Sequence, residues 1–157
     1  MLFDSALLPL EAVMVEAEAA DWREAVAHAG AGLVRSGATT AAYTDEMVAT
    51  VEELGPYIVI APGFALAHSR PSPAVLRPGL SWVQLARPVA FGHASNDPVD
   101  LVAGLAALDH DSHLGVMTAL ARVLASGDTL DTLRRTSDRT AVHRILTGSE
   151  PATTKEN

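Results

Sequence analysis

The chain has 157 residues, of which 48% are hydrophobic, a composition that suits one packed domain and excludes an intrinsically disordered protein. It contains no cysteine, which excludes disulfides and thiolate metal sites. A formal net charge of −8 disfavours nucleic acid as a partner, because an acidic surface repels the phosphate backbone.

The start of the chain gives no sign of a membrane or a secreted protein. Residues 1–4 lack the basic start of a signal peptide, and no apolar run approaches the roughly 20 residues of a membrane span. We therefore expect a cytoplasmic protein with no direct membrane insertion. Its acidic charge would steer a basic protein partner towards it, or serve solubility alone.

The first elements are predicted to be an edge strand and a helix. Residues 2–18 mix apolar and acidic side chains, which suits a short helix followed by an edge strand. Asp21 and Glu24 form a capping box for a helix that Gly37 ends. Apolar residues recur along it at helical spacing: Trp22, Ala25, Val26, Ala29, Leu33 and Val34.

A second helix is predicted to follow at once. Thr39 or Thr40 caps it, and Gly55-Pro56 stops it. Its apolar positions predict a buried stripe made of Tyr43, Met47, Val48, Val51 and Leu54.

The middle of the chain is predicted to form the sheet. Short apolar runs predict strands over residues 57–60, 80–85 and 88–91. A polar loop over residues 92–98 leads to an almost continuously apolar run, Val99 to Leu108, which is predicted to be the central strand.

Helices close the chain. Asp111 or Ser112 is predicted to cap a helix that ends at Gly127, and two short helices follow, Leu130 to Arg135 and Asp138 to Leu146. Helices, strands and helices in that order predict one domain of the α/β or α+β class, of which we expect α/β, over residues 1–147, with a flexible polar tail over residues 148–157.

Among the six histidines, His68 has the most informative surroundings. A short apolar run, a Pro-Gly turn and a stretch of mostly small residues precede it. Ser69, Arg70 and Pro71 follow it. Imidazole is a neutral nucleophile at cellular pH. His28 and His143 fall in predicted surface helices and are expected to be solvated. His93 lies in a polar loop and is expected to be an exposed loop residue, with a site residue as the alternative.

Three chemistries fit these residues. A metal site would combine His68, His110 and His113 with Asp109 or Asp111, although no metal-binding signature spaces them. A hydrolase would use Ser69 or Ser112, which lack a nucleophile elbow. A phosphoryl-carrier histidine would use the His68 imidazole, with Arg70 as a guanidinium fork and Ser69 and loop amides as hydrogen-bond donors.

The residues around His68 also resemble a known family. Residues 55–71, Gly-Pro-Tyr-Ile-Val-Ile-Ala-Pro-Gly-Phe-Ala-Leu-Ala-His-Ser-Arg-Pro, are similar to the phospho-histidine motif of the mannitol/fructose-type enzyme IIA (EIIA type-2) domains of the bacterial sugar phosphotransferase system, PTS. The resemblance runs from Leu2 to about Leu146. It also includes Asp21-Trp22-Arg23-Glu24-Ala25, Pro88-Val89-Ala90-Phe91, Asn96-Asp97-Pro98-Val99 and His113-Leu114. Gly55-Pro56-Tyr57 and the segment Asn96 to Asp100 look most like the ascorbate-specific branch.

The resemblance implies a fold and a function. The implied fold is a mixed β-sheet flanked by helices. The implied activity is that of a stand-alone phosphocarrier: His68 accepts a phosphoryl group from the carrier protein HPr, on Nε2, as a tele-phosphohistidine. It passes the group to a IIB component, and through it to a membrane IIC component that takes up an ascorbate- or pentitol-like sugar. His113 is implied as the partner of the phosphate, and no cofactor or metal is implied.

Two departures from the family pattern concern the site. Ala67 stands where the family usually has proline, which leaves the loop before His68 less rigid. Mannitol-type members carry an arginine in the preceding helix, and residues 47–53 have none, so Arg70 is the substitute cation. The alternatives are a regulatory module whose phosphorylation controls protein binding, and a metal-dependent enzyme that uses His68 and His113.

Overall fold

A computed structural model describes residues 3–148, with the backbone alone for residues 110–113. Five strands in this part of the chain form a single mixed sheet, and α-helices cover both of its faces. The predicted α/β class and single mixed sheet are therefore confirmed. The strands are β1 (Val13–Ala17), β2 (Val59–Ala61), β3 (Phe64–Ala67), β4 (Gly79–Val89) and β5 (Val99–Ala106). The helices are α1 (Trp22–Arg35), α2 (Ala41–Leu54), α3 (His110–Ala125), α4 (Gly127–Arg135) and α5 (Arg139–Thr147).

The order of the strands, β1-β4-β5-β3-β2, makes β5 the central strand, as its continuous apolar run predicts. β5 pairs in parallel with β3, in a register that places Phe64 opposite Leu101 and Ala67 opposite Gly104. β4 is antiparallel to β5 and parallel to β1. Because β3 and β5 run in the same direction, the segments that leave their carboxyl ends emerge at the same edge of the sheet.

Each face of the sheet packs against its own set of helices. Val102 and Ala106 of β5 pack on one side, against apolar residues of α1 and α2. Leu101, Ala103 and Leu105 of the same strand pack on the other side, against α3, α4 and α5. Burial of both faces explains why β5 has almost no polar residue.

The capping signals at the first two helices are largely confirmed. The Asp21 carboxylate accepts the backbone N–H of Glu24 at 3.0 Å, and the Glu24 carboxylate accepts that of Ala20 at 2.7 Å. Thr40 is the residue before α2, although its side chain makes no capping hydrogen bond. Gly55 ends α2 with a φ of 88°, a conformation that favours glycine.

The strand predictions need two corrections. The strand predicted over residues 57–60 is β2 at Val59–Ala61, and a separate strand, β3, follows the turn at Pro62-Gly63, where we expected only a small-residue approach to His68. The two strands predicted over residues 80–85 and 88–91 are one strand, β4, because its register with β5 shifts between Gln84 and Val89 and accommodates Pro88 there.

The helix boundaries also differ from the predictions. α3 begins at His110, so residues 111 and 112 lie in its first turn rather than at its cap. Gly127 does not end α3, because the Ser126 hydroxyl accepts the backbone N–H of Thr129 and starts α4 at Gly127. Leu54 is not part of the buried stripe of α2, since 61% of it is exposed.

The predicted tail lies almost wholly outside the described residues. Gly148 ends α5 in the left-handed conformation, and residues 149–157 are not described.

Gly104 lets α1 approach the central strand closely. A Cβ at this position would clash with Ser81 Oγ and lie 3.1 Å from the carbonyl oxygen of Ala29 in α1. The Ser81 hydroxyl donates a hydrogen bond of 2.7 Å to the same carbonyl oxygen, so it has little freedom to move aside.

We predict that Gly104→Ala lowers the free energy of unfolding by about 2 kcal/mol, because the added methyl group overpacks this contact. Denaturant titration measures the change. Gly115→Ala in α3 is the matched control, because its added methyl group meets no atom within 4 Å and should raise stability by about 1 kcal/mol. Equal effects of the two substitutions would contradict the prediction.

Candidate functional site

His68 follows β3 directly and lies at a cleft of about 430 Å³ at the carboxyl edge of the parallel strands. The other side of the cleft is formed by the residues at the end of β5, which lead into α3. The predicted site residues His68, Ser69 and Arg70 all line this cleft. The remaining lining residues are Thr50, Leu54, Tyr57, Pro71, Leu105, Ala107 and Asp109.

The structure determines which nitrogen of His68 carries the proton. Nδ1 lies 2.7 Å from the carbonyl oxygen of Leu66, in a hydrogen bond. A carbonyl oxygen only accepts hydrogen bonds, so Nδ1 is the protonated nitrogen. In the neutral ring, the lone pair therefore belongs to Nε2, which is the nitrogen that would attack an electrophile.

Two tyrosine hydroxyls hold the peptide bond that follows His68. Tyr57 Oη donates to the carbonyl oxygen of His68 at 3.1 Å, and Tyr43 Oη accepts the N–H of Ser69 at 3.0 Å. Tyr43 Oη also lies 2.9 Å from the carbonyl oxygen of Leu105 in β5 and 3.1 Å from that of Ser69, the two acceptors available to its single proton. The Tyr57 ring contacts the imidazole edge to face, with 5.3 Å between the ring centroids.

One face of α2 supports the segment after His68. The Thr50 hydroxyl donates to the carbonyl oxygen of Glu46 at 2.8 Å, so the 3.0 Å contact between Thr50 and Ser69 carries the Ser69 proton. The Glu46 carboxylate accepts a hydrogen bond of 2.7 Å from the Ser72 hydroxyl. The Ser69 hydroxyl therefore holds the loop to α2 in this structure.

Charged groups of both signs line the cleft. Arg70 and Asp109 are both exposed lining residues. α3 begins at His110, directly after Asp109, so the amino end of this helix lies at the edge of the sheet where His68 is found. Helix amino ends carry a partial positive charge that favours anions.

The structure places the His113 backbone in the first turn of α3. Its side chain and those of His110, Asp111 and Ser112 lie outside the described part, so the predicted pairing of His113 with His68 stays a prediction. The same holds for the metal site and the Ser112 nucleophile considered above. Among the side chains that are described, no group of three or more potential ligands could hold a metal ion.

Three further histidines, His28, His93 and His143, have hydrogen-bond partners in the fold. His93 is half-buried, and its Nδ1 accepts the backbone N–H groups of Ser95 and Asn96. His143 Nε2 bonds the carbonyl oxygen of Leu8 at 2.8 Å, and His28 Nε2 bonds that of Glu18 at 2.7 Å. All three rings are partly exposed, in line with the expected surface positions, and each is also hydrogen-bonded to backbone.

Sequence reasoning missed three residues that shape the site. Tyr43 was predicted only as part of a buried stripe, Tyr57 only as part of a strand, and Thr50 had no predicted role. A signal was present for Tyr43, because the hydroxyl of a buried tyrosine usually finds a hydrogen-bond partner. Nothing in the sequence identifies that partner, since it is backbone from two distant segments.

Three comparisons with known proteins are informative. Residues 6–149 match the family model described as "Phosphoenolpyruvate-dependent sugar phosphotransferase system, EIIA 2". The ascorbate-specific PTS system EIIA component of Escherichia coli K12 is 39% identical over 109 residues, 68% of this chain and 71% of that protein.

Solved structures of enzyme IIA proteins have the same fold as this chain. The mannitol-specific cryptic phosphotransferase enzyme IIA CmtB of Escherichia coli superimposes with a TM-score of 0.82 at 30% identity, covering 92% of this chain and 98% of that one. Enzyme IIA-mannitol of Escherichia coli, in its complex with phosphorylated enzyme IIB-mannitol, gives a TM-score of 0.78 at 28% identity, covering 90% and 97%.

The buried Tyr43 makes stability depend on pH at the alkaline end. Burial raises the pKa of Tyr43 from 10.0 to about 12. The unfolded chain therefore loses this proton at a lower pH than the folded protein does. The stability that protonated Tyr43 contributes is present below pH 10 and is lost as the pH rises towards 12. We predict that wild-type protein loses about 2 kcal/mol more unfolding free energy than Tyr43→Phe over this interval. Denaturant titrations at several pH values measure it, and parallel curves would contradict the prediction.

Proposed function

Since the chain belongs to the EIIA 2 family of the phosphoenolpyruvate-dependent sugar phosphotransferase system, we propose that it is a phosphocarrier that accepts a phosphoryl group on His68. The observation that carries this proposal is the hydrogen bond from His68 Nδ1 to the Leu66 carbonyl oxygen, which leaves the lone pair of the neutral ring on Nε2 in a side chain that lines the cleft. We propose phospho-HPr as the donor and a tele-phosphohistidine as the product.

The chemistry needs little from the protein beyond alignment and charge stabilisation. The Nε2 lone pair forms a bond to phosphorus while the bond between phosphorus and the phosphorylated side chain of the donor breaks, and that side chain leaves with the electron pair. The ring of His68 becomes an imidazolium in this step, because Nδ1 keeps its proton. The Leu66 carbonyl oxygen stabilises that positive charge, and the cationic ring is then a good leaving group for the next transfer.

A IIB component is the proposed acceptor. The similar enzyme IIA-mannitol forms a complex with phosphorylated enzyme IIB-mannitol. Side chains around the cleft of this chain suit a protein surface: Leu54 is 61% exposed, Tyr57 37% and Leu108 50%. Exposed apolar side chains around a polar centre are typical of protein–protein contacts. Through IIB, the group would reach a membrane IIC component and a sugar of the ascorbate or pentitol type.

Further roles are proposed for three neighbours of His68. His113 would hydrogen-bond the phosphoryl oxygens from the first turn of α3, where its backbone lies. Arg70, exposed at the cleft, would supply the positive charge that residues 47–53 lack. Ser69 would donate to the phosphoryl group only after releasing Thr50.

The proposal includes a cytoplasmic location and no cofactor or metal, since the phosphoryl donor is a protein. Within residues 3–148, no helix is both long and apolar enough to cross a membrane. We propose that residues 1–147 form the carrier domain, followed by a tail.

We predict that the chain gains one acid-labile phosphoryl group when incubated with phosphoenolpyruvate, enzyme I and HPr, as measured by intact mass. His68→Ala should gain none, because it lacks the nucleophile. His28→Ala is the matched control and should be labelled like wild type, since His28 hydrogen-bonds the Glu18 carbonyl oxygen and does not line the cleft. Equal labelling of His68→Ala would remove His68 from the role.

The same assay separates the alternatives. Labelled protein that transfers its group to a IIB component, with phosphorylated sugar as the final product, supports transport. Labelled protein that passes nothing on but binds another protein differently favours a regulatory module. Metal bound stoichiometrically, with no label, would favour a metal-dependent enzyme.

We predict that His113→Ala still accepts label but transfers it about 10² times more slowly, because one stabiliser of the transferring oxygens is lost. Arg70→Gln should slow acceptance in the same direction, whereas Arg35→Gln, on the exposed end of α1, should not. Rapid-quench measurement of the labelled fraction gives both rates. An unchanged rate in either site variant would exclude that residue as a phosphate partner.

A further inference from the structure

The peptide bond between His68 and Ser69 is fixed from both of its polar ends. Its carbonyl oxygen accepts a hydrogen bond from Tyr57 at 3.1 Å, and its N–H donates to Tyr43 at 3.0 Å. These are the only tyrosines in the chain, and they lie on opposite sides of Gly55, one in α2 and one just before β2. We call this pair of contacts the tyrosine clamp.

We propose that Tyr43 and Tyr57 are positioning residues that aim the imidazole of His68, an inference that rests on His68 being the phosphoryl acceptor. Rotation of the peptide plane after His68 would turn its Cα–Cβ bond and so swing the ring. The clamp opposes that rotation with two hydrogen bonds, and the edge-to-face contact with Tyr57 restrains the ring itself.

The two tyrosines act from different places. Tyr43 is 1% exposed, so it cannot touch a partner protein. Its hydroxyl also lies within hydrogen-bonding distance, 2.9 Å, of the carbonyl oxygen of Leu105 in β5, and it thereby joins the His68 segment to the strand that leads into α3. Tyr57 is 37% exposed and holds the outer side of the same peptide. Tyr43 therefore connects the His68 segment to the core, and Tyr57 contacts the same segment from its exposed side.

The clamp compensates for a local feature of the sequence. Ala67, which precedes His68, does not restrict the backbone as proline would. Ala67 is nevertheless the last residue of β3 and is paired with Gly104. The sheet holds the backbone before His68, and the two tyrosines hold the backbone after it. The position of His68 therefore does not depend on a proline at position 67.

The test uses Tyr43→Phe and Tyr57→Phe, each of which removes one hydroxyl and keeps the ring. The first readout is the pair of ring ¹⁵N signals of His68, which distinguish a protonated from an unprotonated nitrogen. We expect wild-type protein to show protonated Nδ1 and unprotonated Nε2, and each variant to move towards the averaged signals of a mobile histidine. This readout requires no phosphorylation, so it stands even if the chain accepts no phosphoryl group from HPr.

The second readout is the rate of labelling as the concentration of phospho-HPr is raised. We expect about a tenfold fall in the saturating rate of each variant with an unchanged half-saturating concentration, because alignment is lost and docking is kept. A raised half-saturating concentration at an unchanged saturating rate would instead make Tyr57 a docking contact and overturn its positioning role.

Ser81→Ala is the matched control. It removes another buried hydroxyl that donates to a backbone carbonyl, that of Ala29, on the α1 side of the sheet. It should lose stability without changing the His68 signals or the saturating rate. If it changes them as much as Tyr43→Phe does, or if both tyrosine variants keep wild-type signals and rates, the clamp is overturned. If Tyr43→Phe does not fold, the half-exposed Tyr57 decides the outcome.

Discussion

The parallel pairing of β3 with β5 is the constraint on which the site depends. It brings the carboxyl ends of two strands, more than thirty residues apart in sequence, to one edge of the sheet. His68 leaves the first of these ends, and the segment 107–109 that starts α3 leaves the second. Open α/β sheets often bind ligands at such an edge, because the turns that leave the strands there are free to carry polar groups.

Helix α2 holds the loop that follows His68 in place. Tyr43, Glu46 and Thr50 lie three, four and seven residues apart along that helix and so share one face. Their hydrogen bonds reach the backbone of Ser69 and the hydroxyls of Ser69 and Ser72. Packing of α2 on the sheet is therefore also the arrangement that shapes the cleft, and fold and site share the same contacts.

Much of the fold could be predicted from the sequence where the signal is local. The capping box at Asp21 and the continuous apolar run of β5 each identify their element. β3 escaped prediction, because four residues after a Pro-Gly turn become a strand only through pairing with Leu101 to Gly104. The exposure of Leu54 could not be predicted either. Helical spacing identifies the apolar face of α2, but it does not show how far along the helix other elements pack against that face.

In the site, too, local features could be predicted from the sequence and contacts between distant segments could not. His68, Ser69 and Arg70 are neighbours in sequence, so their place at one cleft follows once His68 is singled out. The tyrosine clamp does not follow, because its bonds join side chains to backbone groups 11 and 26 residues away. Periodicity identifies Tyr43 as buried, but only the folded chain shows what its hydroxyl touches.

The hydrogen bond from His68 Nδ1 to the Leu66 carbonyl oxygen differs from the rest of the site in its range, since it joins residues only two positions apart. Both partners of this bond come from three consecutive residues, whereas the tyrosines that aim the ring come from segments 11 and 26 residues away. Transplanted into a foreign loop, the short segment would carry the donor and the acceptor of the bond with it. The aim of the ring, on which formation of the bond also depends, would have to be rebuilt from the side chains of the host.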